Sequence, residues 1–142
     1  MTSEQNKAIV RRFWQAYETN DQAALNEVLS PALVARTPGA PEPQNREMHL
    51  QGIRMFTAAF SDRQFTVDEM IAEGDVVATR TTLRGTHTGE WQGHAPTGKR
   101  ISAPGLTLER IQDGKIVERW FSFDVPAVMQ QLGLSPQPER AP

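Results

Sequence analysis

The spacing of apolar residues changes along the chain from a helical period to a strand-like period. The first apolar stripe has the helical spacing i, i+3, i+4 and i+7 and consists of Val10, Phe13, Trp14 and Tyr17. Thr2 or Ser3 can cap the start of this helix, and Asn20-Asp21 interrupts it. The N-terminal part of the chain is therefore predicted to begin with an amphipathic helix.

Two further helices are predicted before residue 61. A short helix follows Asp21, with Leu25, Val28 and Leu29 on its apolar face, and Ser30-Pro31 stops it. The pair Leu33-Val34 indicates a brief extended piece. Residues 38–47 form a proline-rich loop. A third helix is expected from Met48 to Phe60, with one apolar side made of Ile53, Phe56 and Phe60.

The second half of the chain has the period-two pattern of β-strands. Strands are predicted over residues 64–72, 76–84, 100–111 and 115–123, with a long irregular hairpin end over 85–98. Asp113-Gly114 is a strong signal for a short hairpin. A closing helix is predicted from Val125 to Leu132, with Gly133 as its stop.

Helices followed by strands indicate an α+β fold. We expect one domain over residues 1–134, with a curled antiparallel sheet, three N-terminal helices and a short C-terminal helix enclosing a pocket. Residues 135–142 contain three prolines and are predicted to be a disordered tail.

Composition and charge exclude several functional classes. The net charge is −2 and the isoelectric point is about 5.9, so nothing favours binding to nucleic acid. The chain has no cysteine and three scattered histidines, so we expect no metal site. No cofactor loop is present. Without a signal-peptide core or a long apolar run, the expected location is the cytoplasm, with no membrane contact.

Asp124 is the first candidate for chemistry. It follows the apolar strand end Trp120-Phe121-Ser122-Phe123, and a carboxylate among aromatic rings acquires a raised pKa that suits acid/base work. The same residue is also in position to cap the helix that begins at Val125. The two roles are compatible.

His87 is the second candidate, because a histidine titrates near neutral pH. Its neighbours in Gly85-Thr86-His87-Thr88-Gly89 are small and leave room around the ring. The alternative is a structural histidine that bonds a loop carbonyl. His49 and His94 are expected at loop or helix-end positions.

Arginines are candidates for binding an anionic oxygen, because the guanidinium is a permanent cation with forked donors. Arg36, Arg80 and Arg84 are the candidates. Arg80 and Arg84 share a strand face, and the alternative is an outer face paired with Glu69 or Glu109. Strand alternation places one of Glu118 and Arg119 inward, and the sequence leaves open which.

Aromatic residues are numerous enough to line an apolar small-molecule pocket. The expected substrate-binding set comprises Arg84 and the aromatic residues Trp14, Tyr17, Phe56, Trp91, Trp120 and Phe121. The hydroxyl of Tyr17, the only tyrosine, faces either this pocket or a backbone partner.

The stretch from Arg84 to Gly133, with its Gly-Thr-His-Thr-Gly segment and Asp113-Gly114 hairpin, resembles the SnoaL-like polyketide cyclase family. That family belongs to the nuclear transport factor 2-like, or cystatin-like, superfamily, so the resemblance implies a cone-shaped sheet with a functional pocket. It also implies that the proton-abstracting Asp of the cyclases falls at Phe121 and their associated His at Thr107. The aldol-type cyclisation should therefore not be carried over to this chain.

Three functional hypotheses follow. The first is a cofactor-free acid/base enzyme acting on a small apolar carbonyl, ester or polyketide-like compound, with Asp124 and His87 as acid and base. The second is a non-catalytic module that binds an apolar ligand. The third is an interaction domain whose outer sheet face, with Leu106, Leu108 and Ile116, forms a dimer interface. A homodimer is compatible with all three.

Overall fold

The computed structural model describes residues 1–134, so the predicted tail lies outside the described residues. Its helices are α1 (Ser3–Thr19), α2 (Gln22–Val28), α3 (Arg46–Ala59) and α4 (Val125–Gln131). Its strands are β1 (Leu29–Arg36), β2 (Gln64–Glu73), β3 (Val76–Thr86), β4 (Arg100–Gln112) and β5 (Lys115–Phe123). The predicted α+β class is confirmed. No helix in this part of the chain has the length and hydropathy needed to cross a membrane.

The helix ends are set by side-chain caps. Thr2 and Gln5 form a capping box at α1, since Gln5 N donates to Thr2 Oγ1 at 3.1 Å and Thr2 N donates to Gln5 Oε1 at 2.8 Å. Asn20 ends α1 in the left-handed conformation, with φ 56°. Asp21 then caps α2 by accepting from Ala24 N at 3.0 Å. Asn20-Asp21 thus interrupts the two helices as predicted.

The five strands form one open, mixed sheet in the order β1-β5-β4-β3-β2. Strands β2 to β5 are antiparallel neighbours, whereas β1 pairs parallel to β5. This corrects the expected all-antiparallel sheet and the brief extended piece at Leu33-Val34. Leu29, expected on the α2 helix, is the first residue of β1. The strand is recognisable only through its pairing with β5, which is more than 75 residues away along the chain.

The hairpin between β4 and β5 is the one predicted at Asp113-Gly114. Both residues have positive φ, at 53° and 76°, as a tight two-residue turn requires. The ladder then shifts by one residue, because Ile111 pairs with Ile116 but Arg110 pairs with Glu118. This shift determines which side of β5 faces the helices.

The core lies between the inner sheet face and the helices. Val10, Phe13 and Trp14 of α1 pack there with Leu50 and Ile53 of α3. The inner face of β3 carries Val77, Thr79, Thr81 and Leu83, all buried, as the alternation predicted. A second cluster joins Phe56 of α3 and Phe60, the residue that follows this helix, to α4. The space between these two clusters becomes the site described next.

Candidate functional site

A cavity of about 560 Å³ opens between the inner sheet face and helices α1 and α3. Most of its walls are aromatic or aliphatic, as is usual for small-molecule sites. The residues that line it are Trp14, Tyr17, Thr37, Gln44, His49, Gly52, Ile53, Met55, Phe56, Phe65, Thr81, Leu83, Trp91, Gln92, Gly105, Thr107, Arg119, Phe121, Ser122, Phe123 and Val125. Among residues 1–134, no Asp or Glu belongs to this lining.

The charged group of the cavity wall is Arg119, which is only 2% exposed. Its cross-strand neighbour on β4 is Glu109, which is fully buried. Arg119 Nε donates to Glu109 Oε2 at 2.9 Å, and Thr107 Oγ1 donates to Glu109 Oε1 at 3.1 Å. Burial lowers the pKa of Arg119 and raises that of Glu109, and in each case the partner's charge opposes the change. An arginine stays protonated at this contact, so the pair is an ion pair.

His49 is the second polar partner of Arg119. It lies in the first turn of α3, the helix-end position expected from the sequence, but its ring is buried and lines the cavity. Arg119 Nη1 lies 3.2 Å from His49 Nε2, and His49 Nδ1 lies 3.1 Å from Gln44 Oε1. Burial and the charge of Arg119 lower the pKa of His49 to about 3. The imidazole is therefore neutral near pH 7.

Aromatic rings enclose the guanidinium of Arg119. Its Cζ lies 4.3 Å from the ring centroid of Phe13, 5.2 Å from that of Trp14 and 5.0 Å from that of Phe121. The electron-rich ring faces stabilise a cation where water is excluded. This environment strengthens any charge interaction that Arg119 makes with a bound molecule.

Several polar groups of the lining have no hydrogen-bond partner among residues 1–134. They include Arg119 Nη2, the hydroxyl of Tyr17 and the indole Nε1 of Trp14. Burial raises the pKa of Tyr17, against the opposing charges of Arg119 and Arg63. The phenol therefore stays protonated, and all three groups can donate hydrogen bonds to a ligand.

The structure brings together five of the seven residues predicted to bind substrate: Trp14, Tyr17, Phe56, Trp91 and Phe121. It does not bring Arg84 or Trp120 into the cavity. Arg84 is exposed and donates to Thr66 Oγ1 at 3.2 Å. Trp120 is 42% exposed and lies against Arg36. Both side chains point to the outer face because neighbouring residues of a strand alternate between faces.

The other arginine candidates also lie outside the cavity lining. Arg80 is on the outer face beside Asp68 and Glu69, at 3.8 Å and 3.6 Å. Arg36 pairs with Glu118 at 3.7 Å. The predicted contact of this outer face with Glu69 is present, whereas Glu109 is on the inner face. Of Glu118 and Arg119, the inward residue is Arg119.

His87 is fully buried but is not part of the cavity lining. Its Nδ1 accepts from Thr97 N at 3.2 Å, and its ring stacks on Phe60. Burial lowers its pKa. Thr88 N and Gly89 N both donate to Ala59 O, at 2.8 Å and 3.0 Å. A side chain at Gly89 would collide with the carbonyl of Ala58, so this segment anchors the long hairpin end to α3.

Asp124 is exposed and is not part of the cavity lining either. It caps α4, since its Oδ1 accepts from Ala127 N at 3.0 Å. Pro126 lies in the first turn of that helix, as expected for a proline next to a cap. In the structure, Asp124 therefore acts as the N-cap of α4.

Thr107 and Phe121, the positions to which the resemblance assigns the cyclase His and Asp, are cross-strand partners and both line the cavity. Thr107 donates to Glu109, and the Phe121 ring lies 4.9 Å from that of His49. Both residues therefore support the Arg119 cluster, Thr107 through its bond to Glu109 and Phe121 through the contact of its ring with the guanidinium.

The sequence analysis missed His49, Glu109 and Arg119 as a group. The available signal was that β4 and β5 each carry charged residues at positions that alternate with apolar ones. The register shift near the hairpin determines which of these charged residues face inward, and the local sequence pattern does not reveal this shift. Among residues 1–134, no group of three or more His, Asp or Glu side chains is arranged to hold a metal ion.

A curled sheet covered by helices, with an aromatic cavity at the inner face, defines the class of small α+β pocket proteins. The model of the SnoaL-like polyketide cyclase family matches residues 7–132. The chain therefore belongs to the SnoaL-like polyketide cyclase family.

Three known proteins illustrate the similarity. The aklanonic acid methyl ester cyclase AcmA of Streptomyces galilaeus is 31% identical, over 93% of this chain and 92% of its own. The crystal structure of IdmH, a putative polyketide cyclase from Streptomyces antibioticus, is 33% identical with a TM-score of 0.82, covering 92% of this chain and 99% of that one. The structure of AclR, a putative hydroxylase from Streptomyces galilaeus, is 29% identical with a TM-score of 0.86, covering 95% and 100%.

Proposed function

We propose that the cavity binds a compact apolar compound with an enolisable carbonyl group, of the polyketide-like β-dicarbonyl kind, and that Arg119 stabilises its enolate. The observation that supports this proposal best is the buried Arg119, which lines an aromatic cavity with Nη2 unpartnered among the described residues. A fixed cation in a water-poor site stabilises developing negative charge more strongly than water does. Tyr17 would add a second donor to the same oxygen or to a neighbouring one.

The class of compound follows from the groups that the cavity offers. The described part of the chain contributes no carboxylate to its lining, and Arg119 already donates to Nε2 of His49. A weakly acidic ketone would need a strong base in the site. A carbon between two carbonyl groups is acidic enough to give its proton to water once the enolate oxygen is held. In this step the C–H bond breaks, its electron pair forms the enolate, and the proton leaves as hydronium.

The family relationship supports the same substrate class. The curated relatives are named as cyclases of aklanonic acid methyl ester, and we extend to this chain a polyketide-like compound and chemistry that needs no cofactor. Phe121 and Thr107 replace the acid/base pair of the cyclases. We therefore propose enolate formation or isomerisation for this chain rather than their aldol closure.

The test uses benzoylacetone, an aromatic β-diketone whose enolate has its own ultraviolet absorption band. Binding is first established by a rise in melting temperature. The enolate fraction is then titrated against pH with and without saturating protein. We expect the wild type to increase the ratio of enolate to neutral diketone by at least about tenfold, the lower end of what one hydrogen bond to a charged group contributes. An unchanged ratio for bound diketone would overturn the proposal.

The matched variant is Glu109→Gln/Arg119→Met, which removes both charges together and avoids leaving one buried without a partner. Under the proposal this variant still binds benzoylacetone but leaves its enolate ratio at the value in water. A neutral ketone of similar shape, benzylacetone, is the control ligand and should bind both proteins equally.

Phe121 favours a second candidate function, that of a non-catalytic apolar-ligand carrier. A phenylalanine cannot accept a proton, and it fills the cavity wall where the cyclases carry their base. This candidate predicts thermal stabilisation by benzoylacetone without any change in the enolate ratio. A screen with aromatic polyketides, β-keto esters, lactones, terpenoid epoxides and steroids extends the comparison. A flat screen would favour the interaction-domain hypothesis.

A further inference from the structure

Three side chains, from a connecting segment, a helix and a strand, form a hydrogen-bonded series that ends at Arg119. Gln44 precedes α3, His49 lies in its first turn, and Arg119 lies on β5. The distances are 3.1 Å from Gln44 Oε1 to His49 Nδ1 and 3.2 Å from His49 Nε2 to Arg119 Nη1. All three residues line the cavity.

The chemistry of arginine fixes the direction of every bond in this series. A guanidinium has only donors, so His49 Nε2 accepts. Because the ring is neutral, its proton is then on Nδ1, where it is donated to Gln44 Oε1. The amide oxygen of Gln44 thereby selects the one form of His49 that can accept from Arg119.

The backbone holds Gln44 and His49 in place. Gln44 forms a bridge with Ala35 of β1, with Gln44 N donating to Ala35 O at 2.7 Å and Ala35 N donating to Gln44 O at 2.9 Å. The next residue, Asn45, caps α3 by accepting from Met48 N at 2.9 Å. Both ends of the short segment that presents the series are therefore tied to regular structure.

Two anchors on one planar guanidinium define its orientation. Glu109 holds Nε and His49 holds Nη1, which leaves Nη2 as the nitrogen without a partner in the part of the chain that the structure describes. With Glu109 alone, the group keeps the freedom to turn about its single contact. Orientation of a donor before the ligand arrives avoids a reorganisation cost when charge develops.

The second anchor, His49, carries no charge, and this affects how strongly the cluster attracts an enolate. Glu109 and Arg119 together carry no net charge, so an enolate adds one negative charge to the cluster. A second carboxylate at position 49 would make the empty cluster negative and repel that enolate. A neutral acceptor holds Arg119 without cancelling its attraction for an anion.

We propose that His49 is a positioning residue, held as a neutral acceptor by Gln44, that fixes the guanidinium of Arg119 with Nη2 towards the cavity. This inference rests on the proposed function for its effect on the enolate, but not for its effect on the guanidinium itself. It therefore has two independent readouts.

The first readout is the benzoylacetone titration with three variants of one position. His49→Leu removes the acceptor, His49→Gln keeps a neutral acceptor, and His49→Glu supplies a charged one. We expect a loss of about tenfold in the enolate ratio for His49→Leu, retention within about threefold for His49→Gln, and complete loss for His49→Glu. The affinity for benzylacetone is measured in each variant as well, because that ligand develops no charge and its affinity separates a change in general binding from a change in enolate stabilisation.

The second readout needs no ligand. Nitrogen NMR of the Arg119 side chain reports rotation about its Nε–Cζ bond, which exchanges Nη1 with Nη2. A guanidinium held at two points therefore shows separate, slowly exchanging Nη signals. We expect separate signals in the wild type and in His49→Gln and averaged signals in His49→Leu. Gln44→Leu should act in the same direction as His49→Leu, because the ring is then free to present either nitrogen.

The outcomes separate this inference from the proposed function. Separate Nη signals in His49→Leu, the same as in the wild type, would overturn the positioning role whatever the titration shows. Averaging in His49→Leu with no enolate stabilisation in any protein would support the positioning role and overturn the proposed function. Equal enolate ratios in wild type and His49→Leu, with clear stabilisation in both, would overturn the inference and leave the proposed function intact.

Discussion

Glu109 and Arg119 face each other across neighbouring strands and form a 2.9 Å ion pair inside the protein, with 0% and 2% of the side chains exposed. Removing two charges from water is costly, and their mutual attraction and further hydrogen bonds must offset that cost. Here the offset comes from Thr107, His49 and the surrounding aromatic rings. The ion pair therefore places a charged group at the wall of a mostly apolar cavity.

Removal of one partner should therefore destabilise the protein more than removal of both. We expect Arg119→Met to lower the free energy of unfolding by about 3–5 kcal/mol, because Glu109 is left buried without its counter-ion. Glu109→Gln/Arg119→Met should recover most of that loss. Urea denaturation measures both, with Arg12→Met as the control. Arg12 pairs with Glu27 at 3.1 Å on the surface, and its loss should cost less than about 1 kcal/mol. Equal losses in the single and double variants would contradict the prediction.

The lowered pKa of His49 predicts a pH dependence of stability. The pKa of His49 is about 3 in the folded protein, against the ordinary value of 6.5 for a histidine. At a pH between these values, the unfolded chain therefore binds a proton at His49 that the folded chain does not bind. Stability from this group is therefore complete above pH 6.5 and is lost as the pH falls towards 3. Between pH 7 and pH 5 the free energy of unfolding should fall by about 2 kcal/mol from this residue. His49→Gln should show a correspondingly flatter profile, and identical profiles would show that His49 titrates normally.

Two variants of Asp124 distinguish a helix-capping role from a role as catalytic base. Asp124→Asn keeps the capping oxygen, whereas Asp124→Ala loses the bond from Ala127 N. We expect Asp124→Ala to cost about 1 kcal/mol of stability and Asp124→Asn a few tenths at most. Neither change should alter the enolate ratio of bound benzoylacetone, because the carboxylate is exposed and outside the cavity lining. A collapse of enolate formation in Asp124→Asn would restore Asp124 as a catalytic candidate.

Gly105 should set the space available to a ligand. A Cβ at this position would lie 2.8 Å from Thr81 Oγ1 and 3.4 Å from Ser122 O, and both Gly105 and Thr81 line the cavity. Gly105→Ala should lower stability by about 1–3 kcal/mol through overpacking and weaken the binding of fused-ring ligands more than that of benzoylacetone. Thr81→Ala in the same chain removes the colliding oxygen and should restore much of the stability. No rescue by Thr81→Ala would place the obstruction at the Ser122 backbone instead.

The outer sheet face is our proposed surface for a homodimer. Leu106 is 63% exposed and Leu108 is 38% exposed, whereas Ile116, expected on the same surface, is fully buried in the core. Leu106→Glu should shift the sedimentation of a dimer towards the monomer, because a charge is costly to bury. Benzoylacetone should still stabilise the variant. An unchanged mass would exclude this face as the interface.

The order and type of most elements could be predicted from local patterns. The stripe of Val10, Phe13, Trp14 and Tyr17 has the period of a helix, and the buried face of β3 has the period of a strand. Asp113-Gly114 has the chemistry of a two-residue turn. Each of these depends on neighbours within a few residues, which a single sequence displays directly. Five of the predicted cavity residues were found for the same reason, since aromatic residues on inward faces tend to line such a space.

The tertiary structure decided which charged side chain lines the cavity. Gln112 pairs with Lys115 next to the hairpin. If the ladder continued from there without a shift, Glu109 would lie opposite Glu118. The one-residue shift near Arg110 instead brings Arg119 opposite Glu109 and turns it inward. Strand parity reverses at such a shift, so every later side chain of β5 exchanges faces. The sequence by itself determined an α+β pocket fold with an aromatic lining. Whether a carboxylate or a guanidinium enters that pocket depended on a register that only the packed sheet defines.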